Sequence, residues 1–264
     1  MLRFYVEVAR TAFRRQLIYR WANIAGLLTN VFFGAISSYV LIALYHARPM
    51  AAGYSLSDSL RYVWLLQAMI MVVLPFGWFD LMLTIRTGEV VADLSKPCDF
   101  YWYWFSREAG RAVYYLLFRA LPAYLGGMLL FGVTVPADAR VWLLSALTFS
   151  LGAAIGIAFR FLYNMTAFWL VEARPVGTMA ASVALFFAGL YFPLPLFPDW
   201  LRAIAYWLPF NGLMNVAAQI FVGKENGPLL ALDLTRQALW LVALTLVARL
   251  ITGLAMRRVV SQGG

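Results

Sequence analysis

The chain has 264 residues, of which 63% are hydrophobic and 12% charged, well below the charged share of about 25% in soluble domains. Its 21 Lys and Arg outnumber 12 Asp and Glu, giving a formal charge of +9, and its mean hydropathy is +0.76. Long apolar runs exclude a water-soluble globule, a disordered chain, collagen and a disulfide scaffold, which leaves an all-α integral membrane protein with roughly six crossings of about 20 residues each.

Residues 1–21 read as a helix in which Leu2, Val6, Ala9, Phe13 and Leu17 recur every three or four positions, with Arg3, Arg10 and Arg14 on the adjoining arc. This pattern suits a helix lying in the membrane interface with its arginines reaching to phosphates, or a basic flank that fixes orientation. The first span covers about residues 23–45 and lacks the small-residue cleavage site of a signal peptide. A polar connection over 46–60 leads to a second span, 62–83, with Pro75 and Gly77 as kink points.

Residues 84–110, TIRTGEVVADLSKPCDFYWYWFSREAG, form the longest polar stretch. They read as a loop holding an amphipathic helix around Glu89, Asp93 and Leu94, stopped by Pro97 and followed by an aromatic run. The third span covers 111–133, and the fourth begins near Val141 and ends at Phe159 or Val171. A break at EARP precedes the fifth span, 176–192. Residues 193–228 carry Pro193, Pro195, Pro198 and Pro209, which forbid one continuous helix. The segment is too apolar for a free loop and reads as short re-entrant helices in the outer leaflet, anchored by Trp200 and Trp207. The sixth span, 238–256, ends at Arg257 and Arg258.

With the N-terminus inside, cytoplasmic segments hold twice as many Lys and Arg as outer ones, so both termini are expected in the cytoplasm. The basic excess then meets lipid headgroups rather than nucleic acid. Residues 1–264 are expected to form one transmembrane domain, because the loops leave no room for a soluble one.

No GxxxxGKS/T, HExxH or GxSxG occurs, and His46 and Cys98 are each the only residue of their type. The residues therefore point to no cofactor, no metal and no catalytic constellation. The tripeptide Asn164, Met165, Thr166 matches a glycosylation acceptor but lies at the inner face by this topology.

Charges inside spans are more informative, because each costs about 2.5 to 3.5 kcal/mol at the bilayer centre. Asp80 and Arg119 both lie toward the inner leaflet, where they can pair, although snorkelling accounts equally well for Arg119, Arg160 and Arg249. In span one, Asn23, Gly26, Asn30, Gly34 and Ser37 fall on one face, either as a close helix contact or as a pathway lining. Two asparagines exceed what packing needs. Gly152 and Gly156 after Thr148, and Gly177, Ala181, Ala184 and Ala188, read as packing stripes.

The stretches YRWANIAGLLTNVFF, IRTGEVVADLSKPCDFYWYWFSREAGR and FPLPLFPDWLRAIAYWLPFNGLMNVAAQIFVGK carry a resemblance. Together with the order of parts, they resemble the membrane subunit of a type-2 ABC exporter, most closely the branch of small bacterial permeases. The resemblance implies a multi-pass permease of the bacterial plasma membrane that dimerises with an identical or homologous permease. Two copies of a separate ABC ATPase would dock from the cytoplasm, and an amphipathic or hydrophobic solute would move outward. It implies that Arg10, Arg14 and Arg15, with Glu89, Asp93, Leu94 and Pro97, match the ATPase-coupling elements, and that spans one, two and five line the pathway and dimer seam. The rivals are an ATP-independent secondary transporter or channel, coupled through Asp80 and Arg119, and an intramembrane enzyme.

Overall fold

The computed structural model describes residues 1–262 except 48, 52, 75–77, 192 and 226, with side chains through Arg258. Among the described residues, twelve α-helices run in chain order as α1 (Leu2–Gln16), α2 (Arg20–Ala47), α3 (Leu56–Val73), α4 (Asp80–Arg86), α5 (Val90–Leu94), α6 (Phe100–Tyr115), α7 (Leu121–Phe131), α8 (Ala139–Met165), α9 (Arg174–Phe187), α10 (Asp199–Trp207), α11 (Asn211–Phe221) and α12 (Pro228–Gln262). Among the described residues there is no strand.

Local chemistry sets the helix starts. Ser55 Oγ accepts the Asp58 N–H at 3.2 Å while the Asp58 carboxylate accepts the Ser55 N–H at 3.1 Å, a capping box that opens α3 six residues earlier than span two was expected to begin. Asp99 accepts the Trp102 N–H at 3.0 Å and opens α6. The third crossing therefore starts at Phe100, not Arg111, and the aromatic run expected in a loop forms its first turns. Asp138 caps α8, and Gly132 closes α7 with φ of 64°, a left-handed cap that favours glycine.

Among the described residues, five helical runs are long and apolar enough to cross a bilayer: Leu2–Ala47, Leu56–Val73, Phe100–Phe131, Ala139–Phe168 and Pro228–Arg258. The fifth expected span is the 14-residue helix α9, about 21 Å long by helical rise against a hydrocarbon core of about 30 Å. Span two is not one helix over 62–83, because α3 stops at Val73 and a separate α4 begins at Asp80. The expected kink residues Pro75 and Gly77 lie outside the described residues. Span four ends at Met165, between the two expected limits and beyond Arg160. The last helix begins ten residues before the expected Ala238.

No loop separates α1 from α2, because a single 3-10 turn, Leu17–Tyr19, joins them. The face that α1 packs inward carries Ala12 and Gln16, while Leu2, Val6 and Leu17 of the apolar stripe are exposed. It lies so close to α6 that a Cβ at Gly110 would stand 2.0 Å from the Ala9 carbonyl oxygen.

The core gathers around α3, α8 and α11. Tyr62, Trp64, Leu66, Val73 and Leu74 have essentially no exposure, and every residue of α11 is buried. Both expected packing stripes hold. A Cβ at Gly152 would meet the Leu213 carbonyl oxygen at 2.3 Å and one at Gly156 the Val73 oxygen at 2.2 Å, while Gly177, Ala181 and Ala184 are buried on α9. By contrast α2 and α12 turn Leu28, Phe32, Tyr39, Leu239, Leu246 and Leu250 outward. A surface this apolar belongs in lipid, and the chain is a multi-pass membrane protein.

Candidate functional site

Four regions hold the polar chemistry among the described residues. The first is a cleft of about 480 Å³ bounded by α2, α3, Arg119 and the segment after α9. Gly26, Thr29, Asn30 and Ser37 line it from α2, Gln67 and Met71 from α3, and Leu190 and Tyr191 from beyond α9. Arg119 lies in a π turn, Leu116–Ala120, between α6 and α7. Pro122 explains the widening: it has no N–H for the carbonyl four residues back, and its ring crowds that oxygen. Arg119 Nη2 donates to Asn30 Oδ1 at 2.7 Å, and Asn30 Nδ2 donates to the Gln67 carbonyl at 2.8 Å.

The structure divides the expected stripe of span one. Gly26, Asn30 and Ser37 face the cleft. Asn23 is buried, and its amide nitrogen, with two hydrogens to give, lies 3.3 and 3.0 Å from the Gln16 and Tyr19 carbonyl oxygens and 2.9 Å from Tyr114 Oη. Gly34 gives room to Trp64, whose ring would stand 2.9 Å from a Cβ there, and Ser38 next to Ser37 accepts the Trp64 indole N–H at 2.9 Å.

The second region corrects the expected Asp80–Arg119 pair. Asp80 is held by Arg111 Nη2, and Arg111 Nη1 donates to Glu108 at 2.6 Å. Arg160 Nη2 lies 3.2 Å from the other Glu108 oxygen. The reason is distance: Arg119 is eight residues beyond Arg111, about 12 Å along the helix. Nor does Arg160 snorkel, being 4% exposed. Arg249 reaches Asp99 at 3.1 Å. The spacing of three between Glu108 and Arg111 places both on one helix face, a signal that the expected span boundary at residue 111 hides.

The third region holds the expected coupling residues, which separate into two sets. Arg14, Arg15, Glu89 and Pro97 are exposed, and Arg10 is exposed while lying 3.5 Å from Glu7. Asp93 is 9% exposed and turned inward, where Lys96 Nζ donates to it at 2.5 Å and to Tyr103 Oη at 2.9 Å. Burial opposes the Lys96 charge, but Asp93 and Tyr103 outweigh it and raise its pKa. Leu94 packs against the core. The outward side of α5 is thus Val91 and Ala92, continued by its caps Glu89 and Ser95. Asp99 N–H donates to Tyr5 Oη at 3.3 Å and ties this connection to α1.

Sequence reasoning also missed a ladder on α11. Asn215 Oδ1 accepts from Tyr62 at 2.6 Å, Asn215 Nδ2 donates to Asn211 at 2.7 Å, and Gln219 accepts from Tyr54 at 3.2 Å. The signal was the spacing of four between Asn211, Asn215 and Gln219 in an apolar helix. Among the described residues no group of His, Cys, Asp and Glu could hold a metal ion.

Residues 32–263 match the family model described as ABC-2 family transporter protein. No curated protein and no solved structure matches the chain.

Proposed function

Because the chain belongs to the ABC-2 family of transporter proteins, a family of membrane permeases that implies an ABC ATPase partner, we propose that it exports an amphipathic or hydrophobic solute when that separate subunit hydrolyses ATP. The observation that carries this reading is the cleft. It sets Thr29, Asn30, Ser37 and Gln67 beside Phe33, Ile70 and Met71 on helices of spanning length. A solute with polar and apolar parts finds both chemistries there.

In this reading two permeases, identical or homologous, pair in the bacterial plasma membrane with two ATPases beneath them and both termini in the cytoplasm. The short helix α9 makes the sixth crossing by drawing the bilayer in around it, and α10 and α11 are the re-entrant pair. Exposed Arg10, Arg14, Arg15, Glu89 and Pro97 receive the ATPase, and its closure shifts α2 at the cleft. The chain itself supplies a path and a two-state interface rather than bond chemistry. The secondary-transporter reading loses its proposed coupling pair, since Asp80 is bound to Arg111 and Arg119 to Asn30.

The test is flux in proteoliposomes that hold this chain with a partner ABC ATPase. Flux should need both the partner and ATP. Equal flux from this chain alone, without nucleotide, overturns the reading.

A further inference from the structure

Arg119 differs from the other buried arginines. Arg111 faces Asp80 and Glu108, and Arg160 faces Glu108. Arg119 is 8% exposed, and among the described residues no carboxylate lies within ion-pair distance of it. Its Nη2 is bound to Asn30, and its Nε is buried without a partner. It sits about 18 Å from the end of α7 by helical rise, well inside the helical run Phe100–Phe131.

The surroundings hold the guanidinium in place rather than neutralise it. Asn30 donates to the Gln67 carbonyl, which turns its own oxygen toward Arg119. Gly26 supplies the space, since a Cβ there would stand 2.4 Å from Arg119 Nη2. The Tyr115 ring, its centroid 5.6 Å from the guanidinium carbon, offers partial relief, but a cation with no counter-anion at this depth is costly, and that cost is relieved when an anion enters. The guanidinium fork matches carboxylate and phosphate geometry.

We propose that Arg119 receives the anionic headgroup, a carboxylate or phosphate, of an amphiphile whose apolar body lies along Phe33, Ile70 and Met71 in the same cleft. This inference rests on reading the cleft as the solute path. A mobile anion replaces the missing internal counter-ion, so the arginine selects solute by charge while the apolar wall tolerates varied bodies.

The test uses the full chain in phosphatidylcholine nanodiscs and two matched probes, 11-(dansylamino)undecanoic acid and its neutral methylamide. Binding is read as energy transfer from protein tryptophans to dansyl. The parent should bind the acid at least about tenfold more tightly than the amide, with R119Q reducing the preference to within about twofold and R119K keeping part of it. A parent that shows no preference, or an R119Q variant that keeps the full one, overturns the inference; the parent comparison needs no variant to fold. Filling the cleft with T29F and S37F should weaken both probes. If that double variant binds both as the parent does, the cleft reading itself falls. If it blocks both while the parent shows no preference, only the anionic class falls. Added phosphatidylglycerol that displaces the acid supports a bilayer lipid as the headgroup source, and undisturbed acid binding supports a dissolved solute.

Discussion

Asn30 serves two helices with one amide, accepting from Arg119 with its oxygen and donating to the Gln67 carbonyl with its nitrogen. Asn30→Leu would leave both groups short of a partner. Removing a hydrogen bond to a charged group costs about 1.5 to 3 kcal/mol, so this variant should melt at a visibly lower temperature in detergent. Pairing it with Arg119→Leu, which removes the stranded charge, should recover much of the loss; a parent-like melt of Asn30→Leu alone would count against the bond. A second residue links stability to pH. Burial, with Asp233 second, raises the Glu225 carboxyl from 4.5 to about 7, and one of its oxygens is buried without a partner. The folded chain therefore holds this proton more tightly than the unfolded one, and stability falls as pH rises from 4.5 through about 7. Glu225→Gln should flatten that part of the melting-temperature profile, and an unchanged slope would assign it to other groups.

Among the elements, α5 and its N-cap separate two residues that the family resemblance grouped. Glu89 points outward, whereas Asp93 is enclosed with Lys96 and Tyr103. Glu89→Lys should leave the fold and melting temperature close to the parent while lowering stimulation of the partner ATPase. Asp93→Lys sets two ammonium groups side by side and should destabilise the 87–99 connection, read as faster proteolysis there. Full stimulation by Glu89→Lys would remove that residue from the coupling surface. The same contrast marks how far sequence reaches. Helical periodicity and the small-residue stripes were legible because packing needs no partner knowledge to be seen: Gly152 and Gly156 face carbonyl oxygens as the GxxxG spacing implied. The start of α6 was not, because aromatic side chains suit an interface as well as a helix, and the cap at Asp99 was overlooked. Nor was the partner of Arg119. A π turn adds a residue to one turn of helix, and the spacing rules used to place charges assume there is none.

At the scale of the whole molecule, one lysine lies at the start of α3 and the other follows its end in the chain. Lys224 lies 3.3 Å from Asp58 near its start, and Lys96 sits in the connection beyond α4, after its end. With Cys98 replaced by Ser, a cysteine at position 224 should react with an impermeant thiol reagent from outside the cell, and one at position 96 only after the inner side is opened. The reverse pattern would invert the chain in the membrane. The union of α1 with α2 has its own consequence. Leu2–Ala47 is 46 residues long, and its one irregular turn is fastened by Asn23, whose amide takes the Gln16 and Tyr19 carbonyls while resting on Tyr114. A rod with its knee latched cannot absorb a tilt at one end by bending in the middle. Whatever tips α1 must swing the Asn30 wall as well, and releasing Asn23 would turn a lever into a hinge.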